Sequence, residues 1–333
     1  MVEKRATILG GGAWGCAIAN LLADCGYNVL LWCREQEIAD EINTHHTNSI
    51  YLPGLVLHKQ VHATTDLSQS AAYSDLVFEA VPVAYLRSVL LSFKPYQNKH
   101  RWIVLSKGIE QHSFALPTTI IQEILNPSAM AVIAGPTYAR DLVERQFSAA
   151  TLATPDDALR GELMAAVAPY YFNLFPSRDM VGVQVAGAIK NVLALAVGIA
   201  KGAGCKDNTI AYLLTAGMQE MAGVLAFFGG ERSTMYGLAG LGDMLLTCTG
   251  SLSKNQRAGV LLGQGKNRED VRAELKTLPE GMNTAQSLAV LMDREKLFFP
   301  ILAATQRFIA GHDSLEAFFK AVLTAPTRHE LKG

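Results

Sequence analysis

The sequence predicts a doubly wound α/β domain followed by an all-helical domain. Three observations carry this expectation. In the first half, short continuous apolar runs alternate with amphipathic segments. After Pro176 the strand-like runs stop and helical spacing takes over. A glycine-rich turn, Gly10-Gly11-Gly12-Ala13-Trp14-Gly15, joins the first apolar run to the first amphipathic one.

Strands are expected at residues 6–9, 28–32, 61–63, 76–80, 102–106, 131–134, 150–153 and 172–175. Helices at 14–25, 38–43, 85–93, 116–125, 138–144 and 157–168 lie between most of them. The runs are apolar throughout rather than alternating, which suits a mostly parallel sheet covered on both faces. Beyond Pro176, helices are expected at 180–200, 208–228, 240–248, 254–263, 268–275, 284–292, 300–309 and 314–323. The expected domains are 1–180, for a dinucleotide, and 181–333, for a substrate. The tail from Arg328 to Gly333 is expected to be loose.

At 333 residues, with 50% apolar and 18% charged, the chain can fill two cores. A net charge of −1 offers no basic surface for nucleic acid. Cys16, Cys25, Cys33, Cys205 and Cys248 are odd in number and contain no CxxC pair. That fits free thiols in a reducing cytoplasm, not a disulfide framework or a zinc site. The N-terminus is too rich in glycine, and its apolar part too short, for a signal peptide. Residues 180–200 have the length of a membrane helix, but Lys190 at their centre would cost roughly 2.5–3.5 kcal/mol there. With Gln184 and Asn191 beside it, the segment reads as a buried helix of a soluble protein, and no integral membrane segment is expected. His45, His46, His58 and His62 read as loop residues, since Pro53, Gly54 and the strand at 61–63 argue against a helix that would align them on a metal; none is expected. Met218, Met221, Leu225 and Phe228 form a helical stripe suited to a core or a subunit interface.

Gly10, Gly12 and Gly15 make a GxGxxG turn between a strand and a helix, the signature of a Rossmann-type domain. Gly10 allows the tight turn, Gly12 lets the backbone approach a pyrophosphate, and Gly15 lets the helix pack closely. The helix N-terminus then offers free N–H groups to phosphate. At the end of the second strand an acid would select NAD through the ribose 2′-hydroxyl; Arg34 stands there and favours the 2′-phosphate of NADP. Glu35, next to it, leaves NAD open.

Lys190 is the lone charge between Met180 and Ala200. A lysine in an apolar helix must be paired, neutralised or turned to a polar cavity. Such surroundings lower its pKa and make it a usable proton donor near neutrality. The plain alternative is a lysine that snorkels to water.

Seven segments in order then point to a family. They are the GGGAWG opening, Tyr51-Leu52-Pro53-Gly54, Ser106-Lys107-Gly108-Ile109-Glu110, Ala134-Gly135-Pro136-Thr137-Tyr138-Ala139, Gly187-Ala188-Ile189-Lys190-Asn191-Val192, Gly237-Leu238-Ala239-Gly240-Leu241-Gly242-Asp243 and Ser253-Lys254-Asn255. Over essentially its whole length the chain resembles the bacterial-type NAD(P)-dependent glycerol-3-phosphate dehydrogenases. The resemblance implies a 6-phosphogluconate-dehydrogenase-like build, and reversible reduction of dihydroxyacetone phosphate to sn-glycerol 3-phosphate for phospholipid synthesis. It implies Lys190 and Asp243 as catalytic residues. It implies Gly10, Gly12, Ala13, Trp14, Gly15, Arg34, Lys107, Ala139, Lys254 and Glu280 at the coenzyme. It implies Lys107, Gly135, Thr137, Lys190, Asp243, Ser253, Lys254 and Asn255 at the substrate. Asp243 could equally be a helix N-cap, and Pro136 could simply shape a turn. The family usually carries arginine where Lys254 stands; lysine keeps the charge but loses the planar fork, and Arg257 one turn on could compensate. Other two-domain dehydrogenases, acting on 3-hydroxyacids or 6-phosphogluconate, are the near alternative. A non-catalytic NADP sensor is the distant one. The apolar helices also raise the expectation of a homodimer.

Overall fold

The computed structural model describes residues 3–276 and 278–323; the tail from Arg328 to Gly333 lies outside them. Among these residues one sheet holds β1 (Arg5–Leu9), β2 (Asn28–Trp32), β3 (Val61–Thr64), β4 (Leu76–Glu79), β5 (Arg101–Val104), β6 (Ala129–Ala134), β7 (Ser148–Ala153) and β8 (Phe172–Ser177). Their order is β3-β2-β1-β4-β5-β6-β7-β8. Pairs from β3 to β6 are parallel, β6 and β7 are antiparallel, and β7 and β8 are parallel again. The order reverses between β1 and β4, so a crevice opens beyond their C-terminal ends.

Helices α1 (Ala13–Asp24), α2 (Gln36–His45), α3 (Leu67–Tyr73), α4 (Val83–Phe93), α5 (Pro117–Leu125), α6 (Ala139–Val143) and α7 (Asp157–Ala166) connect the strands. Both faces of the sheet are covered, which is why Ile8, Val77 and Ile103 are all completely buried. Asp66 and Asp156 cap α3 and α7 by accepting two backbone N–H groups each.

The helical part is built round α8 (Met180–Gly202). Every residue from Gly182 to Ala200 is buried. Around it run α9 (Asp207–Phe227), α10 (Asp243–Thr249), α11 (Lys254–Gly263), α12 (Arg268–Leu275), α13 (Glu280–Glu295), α14 (Pro300–Ile309) and α15 (Leu315–Leu323). Helices α8 and α9 are long and apolar enough to cross a membrane by length and composition, but the apolar window of α8 is wholly buried within the protein. Backbones of α8 and α11 touch through small residues. A Cβ on Gly198 would lie 2.3 Å from the Gln256 carbonyl oxygen, and one on Gly259 would lie 2.3 Å from that of Leu195. Met221 and Leu225 are buried in this core, with Met218 and Phe228 packed against it.

Several expected elements shift. Strand β8 continues through Pro176 to Ser177, because it is an edge strand with no partner needing that N–H. Helix α3 was not expected, since its sequence, LSQSAAY, is short and polar. Helix α13 begins at Glu280 rather than at 284, with Pro279 in an extended N-cap conformation. The segment expected to be helical from 240 is a π-turn, Leu238–Gly242, and α10 starts only at Asp243.

Candidate active site

The glycine turn leaves β1 at the switch point. Gly10 has φ +122, and a Cβ there would lie 2.6 Å from the Ala80 carbonyl oxygen. Gly15 is equally constrained: its Cβ would lie 1.9 Å from the Gly10 carbonyl oxygen, so α1 packs on the turn itself. Nothing stands within 4 Å of a Cβ built on Gly12. That open position lies at the N-cap of α1, whose first turn carries no acid and no side-chain cap. The N–H groups there are free to meet an anion. The buried indole N–H of Trp14 likewise has no acceptor in the protein. Open glycine, uncapped helix end and orphaned donor fit a dinucleotide pyrophosphate. Asn48, fully buried, holds the turn from behind by donating to the Gly11 carbonyl oxygen at 2.9 Å.

Arg34 follows β2 and is exposed, its Nε 2.8 Å from Glu35 Oε1. The arginine and the acid that would compete over coenzyme choice are therefore tied to each other.

The helical part brings a charged cluster to the same crevice. Lys190 Nζ donates to Asp243 Oδ1 at 2.5 Å and to Thr247 Oγ1 at 2.7 Å. Lys107, three residues beyond the last paired residue of β5, donates to the other oxygen, Oδ2, at 2.7 Å. Asp243 is only 1% exposed, and Lys190 only 6%. It is not an N-cap: Gly242 takes that place, and the carboxylate is spent on two ammonium groups. Gly187 makes room for the stem of Lys107, whose Cγ would lie 3.3 Å from a Cβ there. Burial pushes the Lys190 ammonium down to about 8; Asp243 opposes this and Lys107 adds to it.

Glu280 at the start of α13 faces the same cluster. Burial pushes its carboxyl up to about 7, against the attraction of Lys107, Lys190 and Lys254. Lys254, at the start of α11, is lowered by desolvation of its ammonium and by Arg257, with Glu280 opposing. Ser253 is buried and caps α11, its Oγ accepting from Gln256 N at 3.2 Å. Asn255 donates to Asn191 Oδ1 and accepts from Gly281 N, both at 3.0 Å, so its amide braces α8 against α13.

The loop after β6 closes the wall. A Cβ on Gly135 would lie 2.7 Å from Ala150 Cα, so the glycine permits the close approach of β7. Thr137 Oγ1 donates to the Gly135 carbonyl oxygen at 3.3 Å. Tyr138 donates to the Leu246 carbonyl oxygen at 2.8 Å, which binds the loop to α10. Ala139 packs at the edge of the core under α1.

Lys107, Lys190, Lys254, Asp243 and Glu280 are thus brought together, while Arg34 lies apart on the surface. Sequence reasoning missed Thr247, although its spacing of four from Asp243 on a helix was a usable signal. It also missed Glu79, the last residue of β4, and Ser106, two residues beyond β5. Among the described residues, no group of three or more His, Cys, Asp or Glu side chains could hold a metal.

A dinucleotide-binding sheet joined to a helical domain with a buried lysine–carboxylate cluster defines the class: two-domain, dinucleotide-dependent oxidoreductases. Residues 5–160 match the family model described as NAD-dependent glycerol-3-phosphate dehydrogenase N-terminus, and residues 179–320 match that of its C-terminus. The chain is 37% identical to the glycerol-3-phosphate dehydrogenase [NAD(P)+] of Rhodospirillum rubrum, over 97% of this chain and 93% of that protein. It is 39% identical to such an enzyme of Sphingopyxis alaskensis, over 97% of both. The crystal structure of glycerol-3-phosphate dehydrogenase from Coxiella burnetii, 30% identical, superposes with a TM-score of 0.91 over 97% of this chain and 98% of that one. The chain belongs to the NAD(P)-dependent glycerol-3-phosphate dehydrogenase family.

Proposed function

We propose that the protein reversibly reduces dihydroxyacetone phosphate to sn-glycerol 3-phosphate with NAD(P)H, NADPH being favoured and NADH accepted, and so supplies the glycerophospholipid backbone. The observation that carries this reading is the Lys190–Asp243–Lys107 network beside an open glycine turn. In this reading residues 1–180 hold the coenzyme and residues 181–333 the substrate. The free state of all five cysteines supports a cytoplasmic location. Exposed Tyr212 and Phe227 on α9 support a homodimer through the helical part.

When bound, the nicotinamide coenzyme supplies or accepts the hydride. Gly10, Gly12, Ala13, Trp14 and Gly15 would hold its pyrophosphate, Arg34 its 2′-phosphate, and Lys107, Ala139, Lys254 and Glu280 its remaining edge. Lys190 Nζ, protonated, gives its proton to the carbonyl oxygen of the substrate on reduction and takes it back from the hydroxyl on oxidation. Asp243 keeps that ammonium in place and charged, and Thr247 fixes its direction. Lys107 and Lys254 bring positive charge to the substrate phosphate, with Ser253, the N-terminus of α11 and Asn255 beside it. Gly135 and Thr137 complete the contact from the sheet side.

The test is nicotinamide absorbance on mixing the purified protein and its Lys190→Ala variant with dihydroxyacetone phosphate and either NADPH or NADH. Oxidation by the unaltered protein alone is the expected outcome. No oxidation with either coenzyme by folded protein would overturn the reading.

A further inference from the structure

We propose that Glu79 is a positioning residue: from the end of β4 its carboxylate holds the glycine turn after β1 and Lys107 after β5 in one fixed arrangement. The inference rests on the function proposed above. Glu79 is completely buried. Its Oε1 accepts from Val81 N at 2.7 Å, and its Oε2 accepts from Ser106 Oγ at 2.6 Å.

Each bond reaches one half of the site. The Ala80–Val81 peptide is the floor on which Gly10 rests, 2.6 Å from the Ala80 oxygen and 3.2 Å from Val81 N to a Cβ built on Gly10. Ser106 immediately precedes Lys107, which bridges to Asp243. One carboxylate therefore links the coenzyme turn to the lysine that shares Asp243 with Lys190. Filling a strand end needs only an apolar side chain; a buried carboxylate is costly unless its bonds are used. The charged group facing Glu79 is Glu280 of α13. Burial, reinforced by Glu280 and opposed by Ser106 and Val81, pushes the Glu79 carboxyl up to about 7.

The experiment compares the full-length protein with Glu79→Leu, Glu79→Gln and Ser106→Ala. The readouts are thermal midpoint, NADPH binding by coenzyme fluorescence, and kcat and KM for dihydroxyacetone phosphate across pH. Glu79→Leu should weaken NADPH binding and lower kcat/KM about 10- to 100-fold, as a small misplacement of reacting groups does. Glu79→Gln should restore most of both, because its amide oxygen still accepts from Val81 and the Ser106 hydroxyl can reverse to accept. Ser106→Ala, which cuts the side-chain arm to Lys107 and leaves the bond to Val81, should lower kcat and weaken NADPH binding less than Glu79→Leu does. Folded Glu79→Leu with unaltered binding and kinetics would overturn the proposal. If Glu79→Leu does not fold, unaltered kcat in Ser106→Ala would overturn it. An unaltered protein inactive on dihydroxyacetone phosphate would instead defeat the proposed function, and the fluorescence arm would still decide the role of Glu79 at the coenzyme turn.

Discussion

Lys190 and Asp243, 53 residues apart in sequence and carried by α8 and α10, meet at 2.5 Å in a setting almost closed to water. The pair is not isolated, because the second oxygen of Asp243 is taken by Lys107. One carboxylate facing two ammonium groups leaves net positive charge, which suits a phosphorylated substrate.

The two members of the pair should fail differently. Lys190→Met removes a charge and its burial cost together, so activity should fall about 10²- to 10⁴-fold with a modest change in stability. Asp243→Leu leaves two ammonium groups without their counter-charge and should destabilise by about 3–5 kcal/mol as well as abolish turnover. Urea denaturation beside steady-state kinetics separates the two.

The lowered Lys190 pKa fixes the direction of the pH response. Reduction needs the ammonium, so its rate should fall as pH rises through about 8; oxidation needs the neutral amine and should rise through the same point. Stability responds as well. Between about 8 and its ordinary value of 10.5 the folded protein holds less proton on Lys190 than the unfolded chain does. This group's contribution to stability therefore grows with pH across that window. Rate profiles in both directions would reveal the crossing, and a common fall in both would count against Lys190.

Gly15→Ala should abolish coenzyme binding, since its Cβ would sit 1.9 Å from the Gly10 carbonyl oxygen and the turn must deform. Gly12→Ala meets no protein atom within 4 Å, so it should fold normally and lose affinity only for the coenzyme. Coenzyme fluorescence titration together with thermal melts would show the contrast; equal melting losses in both would refute it.

Arg34→Ala should raise KM for NADPH and leave KM for NADH nearly unaltered, because a 2′-phosphate needs the guanidinium and a 2′-hydroxyl does not. The pairing with Glu35 limits the effect, and Glu35→Gln should sharpen preference for NADPH by releasing Arg34. Paired KM measurements check both.

The α/β alternation and the glycine turn were legible because their periodicity and spacing are local properties. Strand direction was not: apolar runs at 131–134 and 150–153 carry no mark that β6 and β7 run antiparallel. Lys190 stood out because charge in an apolar helix is conspicuous. Its partners did not, since Asp243 and Lys107 reach it from 53 and 83 positions away; resemblance to a family named both, and only Lys107 has a further signal, its place at the C-terminal end of a strand. Ser253 and Asn255 look alike as ligands or as braces in sequence; the cap that Ser253 makes to Gln256 is local, whereas the bonds of Asn255 to Asn191 and Gly281 are tertiary facts. Glu79 is one polar letter at the end of an apolar strand, and nothing local to it marks the two bonds it makes.

The close contact of α8 with α11 has a kinetic consequence. Lys190 rides on a helix buried along nearly all of its length and pressed, glycine to backbone, against its neighbour. No partial opening can release it while the core stays shut, so its amides belong to the slowest-exchanging set. The reacting group thereby has the lifetime of the whole fold, and heat should extinguish catalysis and native structure in a single event rather than in sequence.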